Sequence, residues 1–177
     1  MSRYISILIL IIMFFIQGCA VRQAPAKLSF DKETLVTLEA LDFQQRGQID
    51  EALSRYALLY EKTKNPEYLK TALKLGFNSN YPIDNLLSIA MQDMPNDSEV
   101  VRIHVGKLLN EGDVEKAKIL MENLVKREKN IQNLTILASI YFYQKEYPIA
   151  LKYYDSVYKE ANDEASLLMM VELLDIH

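Results

Sequence analysis

Few side chains in this 177-residue chain could do covalent or acid–base chemistry, and the first of them is a thiol. Cys19 is the only cysteine, which excludes an intramolecular disulfide and any multi-cysteine zinc site. In an oxidising compartment a lone thiol is a liability unless it is paired or capped. A thioether bond removes that liability. Only His104 and His177 offer an imidazole, and His177 is the last residue. His104 falls in an apolar helical stretch with no cysteine or second mid-chain histidine to join it as a ligand, so it reads as a packed, hydrogen-bonded side chain. The sequence has no GxSxG elbow, HExxH pair, P-loop or GxGxxG. Its Asp and Glu are scattered over helix surfaces, so no paired-carboxylate site is readable. The expectation is no enzyme, no metal and no cofactor.

The residues before Cys19 give its context. Met1-Ser2-Arg3 is basic, and Ile5 to Ile16 reads ISILILIIMFFI, with Ser6 its one polar residue. As a helix at about 1.5 Å per residue this run spans roughly 18 Å, well short of a ~30 Å hydrocarbon core. A basic start, a short apolar run and a small residue at the boundary describe a cleavable secretory leader, the alternative being a short uncleaved anchor. The boundary itself, Ile16-Gln17-Gly18-Cys19-Ala20, resembles the bacterial lipobox. The resemblance implies cleavage before Cys19, with that thiol carrying diacylglycerol. One acyl chain binds a membrane only marginally, with K of about 10⁴ M⁻¹, whereas two or three hold permanently. Ala20 stands where an aspartate would favour retention at the inner membrane, so the resemblance implies an outer-membrane anchor facing the periplasm. Residues 19–32, with Pro25 and no helical period, then form a tether. Loss of residues 1–18 removes Arg3 and no acid, leaving 19 basic and 24 acidic residues.

Composition narrows what the rest can be. Half the residues are hydrophobic and a quarter charged, with five Gly, five Pro and no Trp, which excludes a disordered or collagen-like chain. A net charge of −4 and an isoelectric point near 5.3 argue against a nucleic-acid binder, which needs a basic face. The run Lys126-Arg127-Glu128-Lys129 follows a helix end, where cations complement the helix dipole.

Two recurring stretches expose an internal period. Gly47-Gln48-Ile49-Asp50-Glu51-Ala52-Leu53 returns as Gly112-Asp113-Val114-Glu115-Lys116-Ala117-Lys118. Tyr81-Pro82-Ile83 returns, at almost the same offset, as Tyr147-Pro148-Ile149. Interleaved, the four sites share a period of about 33 residues, within the range of repeat architectures. Each site reads as a turn between two helices. Gly47 and Gly112 suit a left-handed cap, and Pro82 and Pro148 suit the first turn of a second helix. Apolar residues spaced by three and four flank every turn, as in Leu134, Leu137, Ala138 and Tyr141 before the fourth and Ala150, Tyr154 and Val157 after it. Asn65-Pro66 and Met94-Pro95-Asn96-Asp97 separate one helix pair from the next.

This pattern resembles the tetratricopeptide repeat. The fourth unit carries it best, Gly112, Ala117, Met121 and Leu124 repeat it in the third, and Gly47, Ala52, Tyr56 and Leu59 in the first. In the second unit either Ile83 or Asp84 takes the small-residue position. The resemblance implies an all-α, right-handed α-α superhelix of about four helix–turn–helix repeats over residues 33–163. A helix over 164–177 would then cap the array, pair with another chain, or belong to a longer array.

First helices line the concave side of that family's superhelix, where a protein partner binds. Six of the eleven tyrosines fall within 141–158. Tyr141 and Tyr154 fit repeat packing, and Tyr147 fits the turn. Phe142 and Tyr143 point either to the concave side, where exposed aromatics anchor partners, or to the terminal helix. Thr37, Gln44, Gln45, Arg102, Leu109, Gln132 and Ser139 are expected on the same surface. Together the two resemblances imply a lipid-anchored adaptor that holds a protein partner at the membrane, with no nucleic acid and no small-molecule substrate. The nearest analogies are the repeat lipoproteins that assist pilus secretin assembly and outer-membrane barrel assembly. The alternative is an enzyme, or an enzyme's regulatory subunit, acting on cell-wall material.

Overall fold

The computed structural model describes residues 29–162 and 164–175. The leader, Cys19, most of the tether, Asp163, Ile176 and His177 lie outside the described residues. Within them every regular element is helical: α1 (Phe30–Gln45), α2 (Ile49–Thr63), α3 (Pro66–Asn78), α4 (Asp84–Asp93), α5 (Ser98–Asn110), α6 (Val114–Arg127), α7 (Ile131–Tyr143), α8 (Tyr147–Ala161) and α9 (Glu164–Asp175). Each helix packs on the next one in the chain, and α3 also reaches past α4 to α5. The first helix starts at Phe30, slightly ahead of the repeat region expected from sequence. None of these helices is long and apolar enough to cross a membrane.

Side-chain caps start α3, α5 and α7. Asn65 accepts from the Glu67 N–H at 3.1 Å, and Pro66 follows at the position where a missing N–H costs nothing. Asp97 accepts from Glu99 at 2.9 Å and Val100 at 3.1 Å, and Asn130 from Asn133 at 2.9 Å. Each such cap is worth about 1 kcal/mol, which is why the breakers between units are rich in Asn and Asp.

The turns inside the units repeat in backbone detail. One residue in each is left-handed: Gly47 at φ 72°, Asn80 at 54°, Gly112 at 81° and Lys145 at 62°. The same long bond closes each turn, from Gln48 N–H to Phe43 O, Tyr81 to Gly76, Asp113 to Leu108 and Glu146 to Tyr141, all within 2.8–2.9 Å. This is the paired-bond C-terminal motif that glycine normally serves. Gly47 and Gly112 fill it without strain. Lys145 adopts it at a cost of about 1–2 kcal/mol, and Asn80 at less. Pro148 lies in the first turn of α8 as expected. Pro82 does not: α4 begins only at Asp84, and Ile83 is its N-cap.

That shift settles the register of the second unit. Ala52, Tyr56 and Leu59 are buried on α2, Ala117, Met121 and Leu124 on α6, and Ala150, Tyr154 and Val157 on α8, each set spaced four then three. The buried trio at α4 with the same spacing is Ile83, Leu87 and Ala90. Ile83, and not Asp84, therefore takes the small-residue position. Gly76 makes room for it, because a Cβ there would collide with Ile83 Cγ2. Helix propensity alone favours Gly76→Ala by about 1 kcal/mol. Here the clash with a β-branched neighbour reverses the sign, and urea unfolding should show a loss of about 1–2 kcal/mol. Adding Ile83→Ala to that variant should cost less than Ile83→Ala alone, since the two side chains compete for one space.

Three apolar clusters run along the array instead of one central core. Ala40, Leu53, Tyr56, Leu59 and Ala72 join α1 to α3. Leu69, Leu73, Ile83, Leu87, Ala90, Val100 and Ile103 join α3, α4 and α5, with Tyr60 from α2. The largest links α5 to α9 through Val105, Leu108, Met121, Leu124, Leu137, Ile140, Tyr154 and Leu173. Helix α5 belongs to both of the last two: Val100 and Ile103 face one way, Val101 and Val105 the other.

Polar contacts carry the same spacing. Tyr60 on α2 donates to Asp93 Oδ2 at 2.5 Å, 33 residues on. Arg102 on α5 donates to Asn133 Oδ1 on α7 at 3.1 Å, 31 residues on. Arg127, ending α6, donates to the Asn96 carbonyl at 3.2 Å, tying the basic run to the loop before α5. Burial and the Asp93 partner push the Tyr60 phenol up to about 12. Burial first, then Glu122, raises Tyr141 as well.

Candidate functional site

Helix α7, IQNLTILASIYFY, is apolar almost all round, which a helix facing a single neighbour does not need. Leu134, Leu137, Ala138, Ile140 and Tyr141 are buried. A second stripe, Thr135, Ile136, Ser139 and Tyr143, runs along a groove completed by Leu109 and Asn110 from the end of α5, Val114 from the start of α6, and Ile140 at its floor. The groove encloses about 450 Å³. The tight turn at Gly112 brings the end of α5 and the start of α6 together as one wall.

The hydroxyls in the groove are already occupied. Thr135 Oγ1 donates to the Ile131 carbonyl at 2.8 Å and Ser139 Oγ to the Thr135 carbonyl at 3.0 Å, while Ser139 also lies 3.1 Å from the Tyr154 hydroxyl. Thr135 and Ser139 therefore add little polarity to an otherwise apolar lining. Tyr143 is different. Its side chain is 78% exposed at the rim, and its hydroxyl has no hydrogen-bond partner among the described residues. With the Asn110 amide it supplies polar handles beside an apolar trough, a combination suited to holding one or two apolar side chains of a peptide and bonding its backbone. The lining holds no carboxylate, amine or imidazole with which to move a proton.

Three residues expected on a binding surface, Leu109, Ser139 and Tyr143, are brought together here. The others are placed elsewhere. Phe142 turns from the groove and packs on Tyr147, ring centres 5.9 Å apart. Arg102 is committed to the fully buried Asn133. Gln44 Oε1 accepts from the Tyr56 hydroxyl at 3.1 Å. Thr37 donates to the Glu33 carbonyl at 2.8 Å and lines a separate hollow beside Tyr68. Gln45 and Gln132 are exposed, on α1 and in the first turn of α7, and neither lines the groove. Asn110, Val114, Thr135, Ile136 and Ile140 complete the lining without having been expected. The signal for the α7 members was the helix's two-sided apolarity, which a single-face reading of the period passes over.

His104 differs from expectation in one respect. It is half-buried, but its Nδ1 is buried with no hydrogen-bond partner among the described residues. Burial lowers its pKa, so the ring is neutral at pH 7. No group of three His, Cys, Asp or Glu side chains among the described residues is arranged to hold a metal ion.

Comparison with known proteins adds no relative: no protein-family model matches the chain, and neither does any curated protein.

Proposed function

We propose that the chain is a protein-binding adaptor of the cell envelope, a tetratricopeptide-like repeat array held at a membrane by lipid on Cys19. The observation that carries the binding role is the groove beside α7. It is apolar within, rimmed by the free phenol of Tyr143, and mounted on helices fixed by the largest buried cluster. The anchor rests on the lipobox resemblance at Ile16–Cys19, and the outer-membrane, periplasm-facing location on Ala20. The repeat reading draws support from the four matching turns and the recurring four-then-three burial pattern. An adaptor needs no chemistry of its own, only a shaped surface and a fixed address.

The test is mild crosslinking in intact cells followed by capture of the chain and whatever it holds. An aromatic anchor at the centre of a protein interface contributes about 2 kcal/mol or more. Tyr143→Ala should therefore lower recovery of a specific partner about tenfold or more, with circular dichroism and melting unchanged. Undiminished recovery of the same partner would remove the groove from the proposal. Turnover of cell-wall material by the purified chain, lost on replacing one acidic residue, would overturn the adaptor reading itself.

A further inference from the structure

The first and last of the described helices carry more net negative charge than any helix between them. From Arg46 to Asn162 the sequence holds sixteen basic and sixteen acidic residues, so the middle of the array is balanced. Helix α1 sets Lys32 against Asp31, Glu33, Glu39 and Asp42, and α9 carries Glu164, Glu172 and Asp175 with no basic residue. Each of these two helices thus carries a net −3. Large apolar side chains stand in water at those same ends.

On α9 the inward side is Ser166 and Leu173, both buried against the array. The outer side shows Leu168 at 69% exposure, Leu174 at 62% and Val171 at 50%. Glu164, Leu168, Val171 and Asp175 are spaced four, three and four, which puts them in one line along the helix. An apolar stripe therefore runs between two carboxylates, with Glu172 to one side.

The acids of the two ends are occupied differently. On α1 two of the four acids are ion-paired, Asp42 with Arg46 at 2.9 Å and Glu39 with Arg55 at 2.8 Å, and Glu33 accepts from the Tyr68 hydroxyl at 2.8 Å. On α9, none of the three acids has an ion-pair partner among the described residues. Charge then separates the occupants this face could take. A second copy laid antiparallel would set Glu164 against Asp175, and α1 of another copy offers the same sign. An anionic lipid surface is repelled in the same way. A helix with apolar residues at matching spacing and Lys or Arg near both ends covers the stripe and neutralises the carboxylates.

We propose that the outer face of α9 docks a basic amphipathic helix of another protein, seating its apolar side chains on Leu168, Val171 and Leu174 and its cations on Glu164, Glu172 and Asp175. The site is separate from the α7 groove and does not depend on it.

The test titrates the full chain against a fluorescent peptide of leucine and lysine in amphipathic helical order, with glutamate replacing lysine in a control. The lysine peptide should bind and the glutamate peptide should not. Glu164→Lys, Glu172→Lys and Asp175→Lys together should weaken binding about tenfold or more, as should about 0.5 M salt. Asp31→Asn with Asp42→Asn, at the other end, should leave affinity within about twofold. Because all five side chains are on the surface, unchanged melting shows that the fold is kept. Equal binding of both peptides, or full affinity in the triple variant, would overturn the proposal. So would a dimer that Val171→Glu dissolves, or binding to vesicles of anionic lipid that the same change abolishes.

Discussion

Replacing Leu137 with alanine should lower the unfolding free energy by about 2–5 kcal/mol and the melting temperature by roughly 4–20 °C. Leu137 is fully buried where α7 meets its neighbours, within the cluster that joins Val105 and Leu108 of α5, Met121 and Leu124 of α6, and Ala150 and Tyr154 of α8. Its methyl groups have no water to turn to. Truncation loses their transfer energy and leaves a cavity that rigid helix pairs on both sides cannot close. The loss should also be local. Hydrogen exchange should show α6, α7 and α8 opening more readily, while α1 to α3, joined by their own cluster, keep their protection. Leu168→Ala is the matched control: the same atoms leave an exposed site, and stability should stay within about 0.5 kcal/mol. Uniform loss of protection from α1 to α9 would show a single cooperative unit in place of coupled repeats.

The other large effect concerns location. Cys19→Ala should move the chain from the membrane fraction to the soluble one and abolish labelling by radioactive palmitate. The size follows from acyl arithmetic. Each buried CH₂ contributes about 0.8 kcal/mol, so one chain holds weakly and a second makes release negligible on the timescale of fractionation. No helix among the described residues is long and apolar enough to span a bilayer. Unchanged labelling would sink the lipobox reading. Lost labelling with retention in the membrane fraction would transfer the anchoring to an uncleaved apolar run at Ile5–Ile16.

How much could be read in advance depended on which physical rule set each residue. The helix pairs were legible because burial forces apolar residues to recur at three and four, and because Gly47, Gly112, Asn65 and Asp97 are residue types that backbone geometry itself selects. The left-handed Lys145 was not legible. Its backbone is imposed by the helices on either side, against its own preference, so its side chain gives no clue. The register at α4 had to wait for packing, since choosing between Ile83 and Asp84 depends on the space left by Gly76, which lies on the preceding helix. The groove was half legible for a related reason. Tyr143 and Ser139 could be placed by period, but Arg102 and Gln44 look like ordinary surface polar residues until Asn133 and Tyr56 are seen to hold them.

The side-chain hydrogen bond from the Tyr68 hydroxyl to Glu33 spans 35 residues. The main helix packing described joins elements that are neighbours or next-but-one in the chain, so each contact closes over a short loop with little entropy to lose, as in fast-folding topologies. The chain also need not wait for its own far end. As the N-terminus emerges from a ribosome, α1 and α2 can pair as soon as Thr63 is clear, and each later pair can settle on the finished one before it. Vectorial assembly of this kind keeps the apolar faces between helix pairs covered throughout synthesis, leaving one unfinished edge exposed at any moment.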